Sequence, residues 1–328
     1  MSDLLNSRSS RAWLLEATER HSKGIFGKIS PAVIWSDSLG NDGNLIVPVD
    51  PEFLAAKINT NPHIILHDHD PGKPKGQVLE AESFISDDGR KFVAAILGFY
   101  AGGQTLTFDI LDSDVFAPIL KAPLLPPLPA TTFIEFAVDP RDIDEAWITQ
   151  ITSDAPVHIE RTDLSHNAAD SLSDLIRIGI PYLVVVWNPF VKAIATEAGK
   201  DVYKAIHGWL SKLFKKIAER GRIVLDIHTF QDECQVSFIM RSDDPAKLYA
   251  AHNSLSTASV QAALLVAKLK ERGMDGRQLI YEYSDKSEIW FPSYAILKDN
   301  RIITDNIELI GIEQLPSGLS LGLTRGKN

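Results

Sequence analysis

Apolar residues in the first half of this chain come in short runs of strand length, each cut by turn residues. Ala32-Val33-Ile34-Trp35, Leu45-Ile46-Val47, Gln77 to Phe84, Lys91 to Phe99, Thr105 to Ile110 and Thr131 to Val138 all read as strands, with Ser86-Asp87-Asp88-Gly89 a hairpin turn. Ser10 to His21 sets Trp13, Leu14 and Ala17 among charges, a short amphipathic helix. Asp50 is a good cap for a second, Pro51 to Ile58, with proline at its first position. Ala117 to Pro129 is too rich in proline for a regular helix or a central strand and reads as an apolar strap over the core. Asp163 to Arg177 turns polar and helical, and the boundary is placed there, between domains of residues 1–170 and 171–328.

The second half has a longer rhythm. Tyr182 to Trp187 reads as a buried strand and Pro189 to Arg220 as a long helix, with Ile206, Leu210, Leu213 and Ile217 among its apolar positions. Ile223 to Phe230 and Gln235 to Met240 form a hairpin, Pro245 to Arg272 a second long helix, and Gln278 to Tyr283 a further strand. Ile289 to Leu297 and Arg301 to Thr304 follow around the Asp299-Asn300 turn. Strand, helix, strand, strand, helix, strand is the order of a ferredoxin-like sandwich, so the expected class is α+β: a β-rich domain, then a ferredoxin-like one.

Composition narrows the classes of function. At 328 residues, 45% apolar and 23% charged, the chain has material for two globular cores. A net charge of −10 argues against a dedicated nucleic-acid binder. Between Lys200 and Arg222, however, seven basic residues stand against two acids, with Trp209 and Phe214 interleaved. That face could dock an acidic partner, an anionic membrane surface or RNA; a solvated helix face over core aromatics is the plainer reading. The single cysteine, Cys234, excludes an internal disulfide and reads as a small core residue. The first residues lack a signal-peptide core, and Ile178 to Trp187, the longest apolar run, falls well short of the roughly 20 residues a spanning helix needs. A cytoplasmic protein is expected. Trp290-Phe291-Pro292-Ser293-Tyr294 and Gln314-Leu315-Pro316-Ser317-Gly318 are loops suited either to a partner or to packing.

The richest chemistry lies in His63-Ile64-Ile65-Leu66-His67-Asp68-His69-Asp70, followed by Pro71-Gly72-Lys73-Pro74-Lys75-Gly76. In an extended strand His63, His67 and His69 share one face, which suits a metal pair or a proton relay. A strand end emerging into solvent explains the same residues. The His-x-His resembles the ligand patterns of metallo-β-lactamases and amidohydrolases, although Pro71-Gly72 stand where the former continue with Asp-His. The further candidate histidine ligands nearby are His158 and His166, and their spacing does not recommend them. No cofactor is expected.

Ile65-Leu66-His67-Asp68-His69-Asp70, Pro74-Lys75-Gly76-Gln77-Val78, Ala81, Asp88-Gly89 and Phe92-Val93-Ala94-Ala95-Ile96 together resemble the caudoviral prohead (capsid maturation) proteases, relatives of the herpesvirus assemblins. The resemblance covers about a third of the first domain. It implies a barrel-like domain with flanking helices, with His69 as general base and His67 or a nearby acid, Asp70, orienting it. The nucleophile should follow in a Ser-x-Gly-type strand. In Thr131-Thr132-Phe133-Ile134-Glu135-Phe136, Phe133 takes the serine position and Glu135 the glycine position. Thr132 points to the opposite face, and Ser165 and Ser320, in Gly318-Leu319-Ser320-Leu321-Gly322, lie outside the expected strand. Three readings stay open: a degenerate prohead-protease-like serine peptidase domain fused to an interaction domain, a non-catalytic binding or assembly protein, and a metal-dependent hydrolase using His67 and His69. A polypeptide substrate or protein partner, or a second copy of the chain, is the expected company.

Overall fold

The computed structural model describes residues 2–22, 24–41, 43–67, 70–111, 133–138, 143–163, 174–179, 197–220, 223–242 and 244–311. These are mixed α and β, in two compact units. Among the described residues, one unit takes 2–105 and 306–311 and the other 106–163 and 174–305.

The first unit is built on a four-stranded sheet. Strands β1 (Lys28–Ser36), β2 (Ile64–Leu66), β3 (Pro74–Ile85) and β4 (Lys91–Phe99) lie in the order β1-β4-β3-β2, every pair antiparallel. In β4 every residue from Phe92 to Phe99 is buried, so both faces of this strand are core. Phe92, Ala94 and Ile96 pack with Leu4 of helix α1 (Ser2–Leu5) and with Leu14 and Ala17 of α2 (Arg8–His21). Val93, Ala95, Leu97 and Phe99 face the other way, with Ala55 and Ile58 of α3 (Pro51–Thr60). The Asp50 carboxylate caps α3, accepting from Phe53 N at 2.8 Å. Among the described residues this sheet is a middle layer between helices and does not close. The barrel-like expectation therefore meets an open sheet, because alternate β4 residues bury against separate helices instead of around one enclosed core.

The second unit carries a nine-stranded sheet. Its strands are β5 (Thr105–Leu106), β6 (Phe133–Val138), β7 (His158–Asp163), β8 (Asp174–Gly179), β9 (Ile223–Gln231), β10 (Cys234–Arg241), β11 (Gly276–Ser284), β12 (Ile289–Leu297) and β13 (Ile302–Ile303). They stand in the order β5-β13-β12-β11-β10-β9-β8-β6-β7. Alternate residues on one face, Ile134, Phe136, Ile176, Ile178, Leu225, Ile227, Val236 and Phe238 among them, share a core with three helices. These are α4 (Glu145–Thr152), α5 (Glu197–Ala218) and α6 (Pro245–Glu271). In α6 the buried Leu248, Ala251, Leu255, Ala258, Ala262, Leu265 and Leu269 recur at helical spacing.

Three expectations are corrected. The helix expected over 163–177 gives way to β8 from Asp174, where Ile176 and Ile178 enter the core and Arg177 takes the other face, a strand period. The strand expected at 182–187, like the strap at 117–129, lies outside the described residues. The boundary moves from residue 170 to residue 105, because β6 and β7 pair into the second sheet. The ferredoxin-like order is also not the one observed. A split βαβ unit separates the two strands that its helix joins, whereas here β8 and β9, flanking α5, are direct parallel neighbours, as are β10 and β11 flanking α6.

Gly76 tests the packing of the first unit. A Cβ there would fall on the Gly98 carbonyl oxygen and stand 3.0 Å from Phe99 Cα, both backbone atoms of β4. Gly76→Ala should destabilise the chain by about 1–3 kcal/mol in denaturant titration. Gly208→Ala, at an exposed α5 position with nothing within 4 Å, should raise stability by up to about 1 kcal/mol.

Candidate functional site

The histidine stretch becomes a strand end and a tight turn. His67 N donates to Lys73 O at 3.0 Å, Asp70 N to His67 O at 3.0 Å, and Lys73 N to Asp70 O at 2.9 Å. One Asp70 carboxylate oxygen accepts from Gly72 N at 2.9 Å and the other stands 3.5 Å from Lys73 Nζ. Asp70, a candidate orienting acid, is thus the residue that closes the turn, as aspartates in such turns do. The His63 and His67 side chains are exposed. Asp68 and His69, the candidate base, lie outside the described residues, so the pairing of His67 with His69 does too.

The Pro-Lys-Gly that follows is accounted for by packing. Gly76 lets β3 approach β4, and Lys75 reaches the end of α7 (Ile307–Ile310), donating to Leu309 O at 2.8 Å and Gly311 O at 2.7 Å. A cation there satisfies carbonyls that the last turn of a helix leaves open. Fully buried Gln77 donates its side-chain amide to the Tyr100 hydroxyl.

Other sequence candidates resolve into core and surface. Trp209 and Phe214 of α5 are 3% and 2% exposed and belong to the core. Lys212 on its outer side and Arg220, just past its end, pair with Asp154 and Asp144 at 3.2 and 3.3 Å. Trp290 is buried and donates to Ala251 O, while Phe291 is exposed. Cys234 is buried, and burial pushes its thiol up to about 12. His158, at the start of β7, is exposed, and His166, Ser165 and residues 314–322 lie outside the described residues. Among the described residues no three His, Cys, Asp or Glu side chains are grouped as a metal site requires.

The structure assembles a group that no linear motif announces. On the face of the nine-stranded sheet opposite the apolar core, register aligns Glu135 of β6 with Gly179 of β8 and His228 of β9. Two residues along, Arg177 stands opposite Asp226. Asp226 has no exposed surface; Arg177 Nε donates to one of its oxygens at 2.9 Å, and the other has no partner. His228 is 6% exposed; its Nε2 stands 3.7 Å from Glu135 Oε2, and its buried Nδ1 has no partner. Gly179 makes that approach fit, since a Cβ there would lie 2.8 Å from His228 Nε2 and 3.0 Å from Glu135 Cβ. The His228 ring, followed by the Arg177 charge, holds the Glu135 carboxyl below its ordinary value. Chemically this is a buried ion pair with spare acceptor capacity beside an imidazole and a half-exposed carboxylate. The four residues span almost a hundred positions, and register alone joins them. Alternation within β6 and β9 was the available signal, and it identified faces without saying which strands are neighbours; Arg177 fell at the end of a segment that reads as helical.

A second pair arises between helices. Ser211 Oγ on α5 is 2.8 Å from His252 Nε2 on α6, and the His207 and His252 rings lie 4.8 Å apart. His252 is 1% exposed, and burial, reinforced by His207, pushes its imidazole down to about 4. A hydroxyl beside an imidazole is the start of nucleophile activation. So weak a base is a poor proton acceptor at neutral pH, and the arrangement serves instead to clamp the helices. His207 and Ser211, four residues apart, were legible as one helix face; His252 was not legible as their partner.

Comparison of the chain with protein-family models, curated proteins and solved structures gives no match.

Two measurements check these environments. Cys234 should resist iodoacetamide in the native protein and react once denaturant is added. His252 should make stability depend on pH. Its folded-state value lies below the ordinary 6.5, so the unfolded chain takes up the proton first. The full contribution is present above pH 6.5 and drains away towards pH 4, a change of about 3 kcal/mol. Denaturant titrations across that window should show a shallower dependence in His252→Asn than in the parent chain.

Proposed function

We propose that this chain is a non-catalytic binding or assembly protein, with a first unit that resembles a prohead protease in sequence but is degenerate as a catalyst, and a second unit that serves recognition. The observation that carries the reading is what β6 holds at the nucleophile position. The resemblance puts the nucleophile in this strand, and a nucleophile must share hydrogen-bond reach with its base. In β6 Phe133 occupies the serine position and Glu135 the glycine position, and neither side chain carries a hydroxyl. The structural employment of Asp70, Lys75 and Gly76 supports the same reading: much of the motif persists for packing reasons. A polypeptide partner is the class that the resemblance carries over, and self-association is one form it takes. A metal-dependent hydrolase would have to be built on His67 and His69, and no specific observation favours it.

Incubating the purified full-length chain with a fluorophosphonate probe should leave its intact mass unchanged, and storage should produce no self-cleavage. A probe adduct on any serine, or self-cleavage that His69→Ala abolishes, overturns the reading.

A further inference from the structure

We infer that the Glu135–Arg177–Asp226–His228 cluster on β6, β8 and β9 forms a recognition site for an organic cation bearing N–H donors, a guanidinium or primary ammonium on an alkyl stem. Glu135 and Asp226 grip it beside His228, and Phe133 and Phe230 flank it.

The first ground is unfilled hydrogen-bonding capacity. Asp226 and His228 occupy successive positions on one face of β9, and each has a buried polar atom without a partner, Oδ1 and Nδ1. Such atoms are uncommon in native proteins and point to a group that completes them. A carboxylate oxygen can only accept, so the group completing Asp226 is a donor. The second ground is charge. Glu135 and Asp226 stand against Arg177 as the fixed cation of the cluster, and Arg177 is already committed to Asp226. An incoming anion would meet two carboxylates; an incoming cation balances them.

The third ground is what surrounds the accessible end. The Glu135 side chain is 39% exposed. β6 runs antiparallel to β8, and β8 parallel to β9, so Phe133 and Phe230 fall on the same side of the Glu135–His228 row and on the same face. They are 39% and 61% exposed, and the Phe230 ring meets that of His228 edge-on at 6.3 Å. Exposed aromatic faces beside a carboxylate suit a cation on an apolar stem, by cation–π attraction and by covering the methylenes. The depressed Glu135 carboxyl is in keeping with this, since it holds its negative charge.

The inference deepens the binding reading and rests on it. An arginine or lysine side chain of a polypeptide partner and a free small amine share this chemistry. Isothermal titration of the full-length chain with agmatine and with the tripeptide acetyl-Gly-Arg-Gly-amide separates them. Saturable binding of either is expected, weakened about tenfold by Glu135→Gln, the loss of one charge-assisted contact. Phe230→Ala, at an exposed side chain, should weaken it as well. Tighter binding of the tripeptide assigns the site to a polypeptide, and equal binding to a small amine; both support it. No saturable binding of either probe, or binding that Glu135→Gln leaves unchanged, overturns it. A serine labelled by the fluorophosphonate would remove the non-catalytic reading and leave the cation result standing. An unlabelled chain that binds neither probe removes this site alone.

Discussion

A carboxylate without exposed surface stands inside the nine-stranded sheet, and the pairing of β8 with β9 is tied to it. Taking the Asp226 charge out of water costs on the order of several kcal/mol, recovered only if the partly exposed Arg177 meets it in good geometry. They meet at 2.9 Å because Arg177 lies directly opposite Asp226 in the parallel ladder. Slipping β8 by one residue would turn Arg177 into the apolar core and expel Ile176 and Ile178. Ion pair and hydrophobic alternation thus demand the same register. That register puts Gly179 opposite His228, and the separate ladder of β6 with β8 puts Glu135 opposite Gly179, so two registers together make the candidate site.

The elements of the fold were more legible than their neighbours. The hairpin at Ser86–Gly89 announced itself by local turn chemistry, and the long helices by the spacing of residues such as Leu210, Leu213 and Ile217. What eluded the sequence was non-local. Strand, helix, strand reads identically whether the two strands become neighbours or admit a third between them, so the ferredoxin-like order could not be told from the adjacent pairing of β8 with β9 and β10 with β11. The alternation in Phe133–Val138 marked a strand with one buried face without saying which sheet would bury it.

The site shows the same division. The His-Asp-His-Asp stretch drew attention because it is dense in one place, yet the described part of it works locally, with Asp70 bonded to its own turn. Glu135, Asp226 and His228 were each unremarkable polar residues in strand-like runs, and Arg177 closed a segment that reads as helical. Their chemistry is a product of packing three strands side by side. The basic stretch on α5 illustrates the converse, a pattern conspicuous in sequence whose aromatic members, Trp209 and Phe214, turn out to be core.

Lys75 holds the carbonyls of Leu309 and Gly311, so a unit begun by the first hundred residues is completed by residues more than two hundred positions later. During synthesis the second unit, whose described residues lie within 106–163 and 174–305, leaves the ribosome before that closing segment does. Its nine-stranded sheet can therefore form while the four-stranded layer still awaits the last of its contacts. The order of birth is the reverse of the order of completion: Lys75, made early, spends most of translation without the carbonyls it will bind.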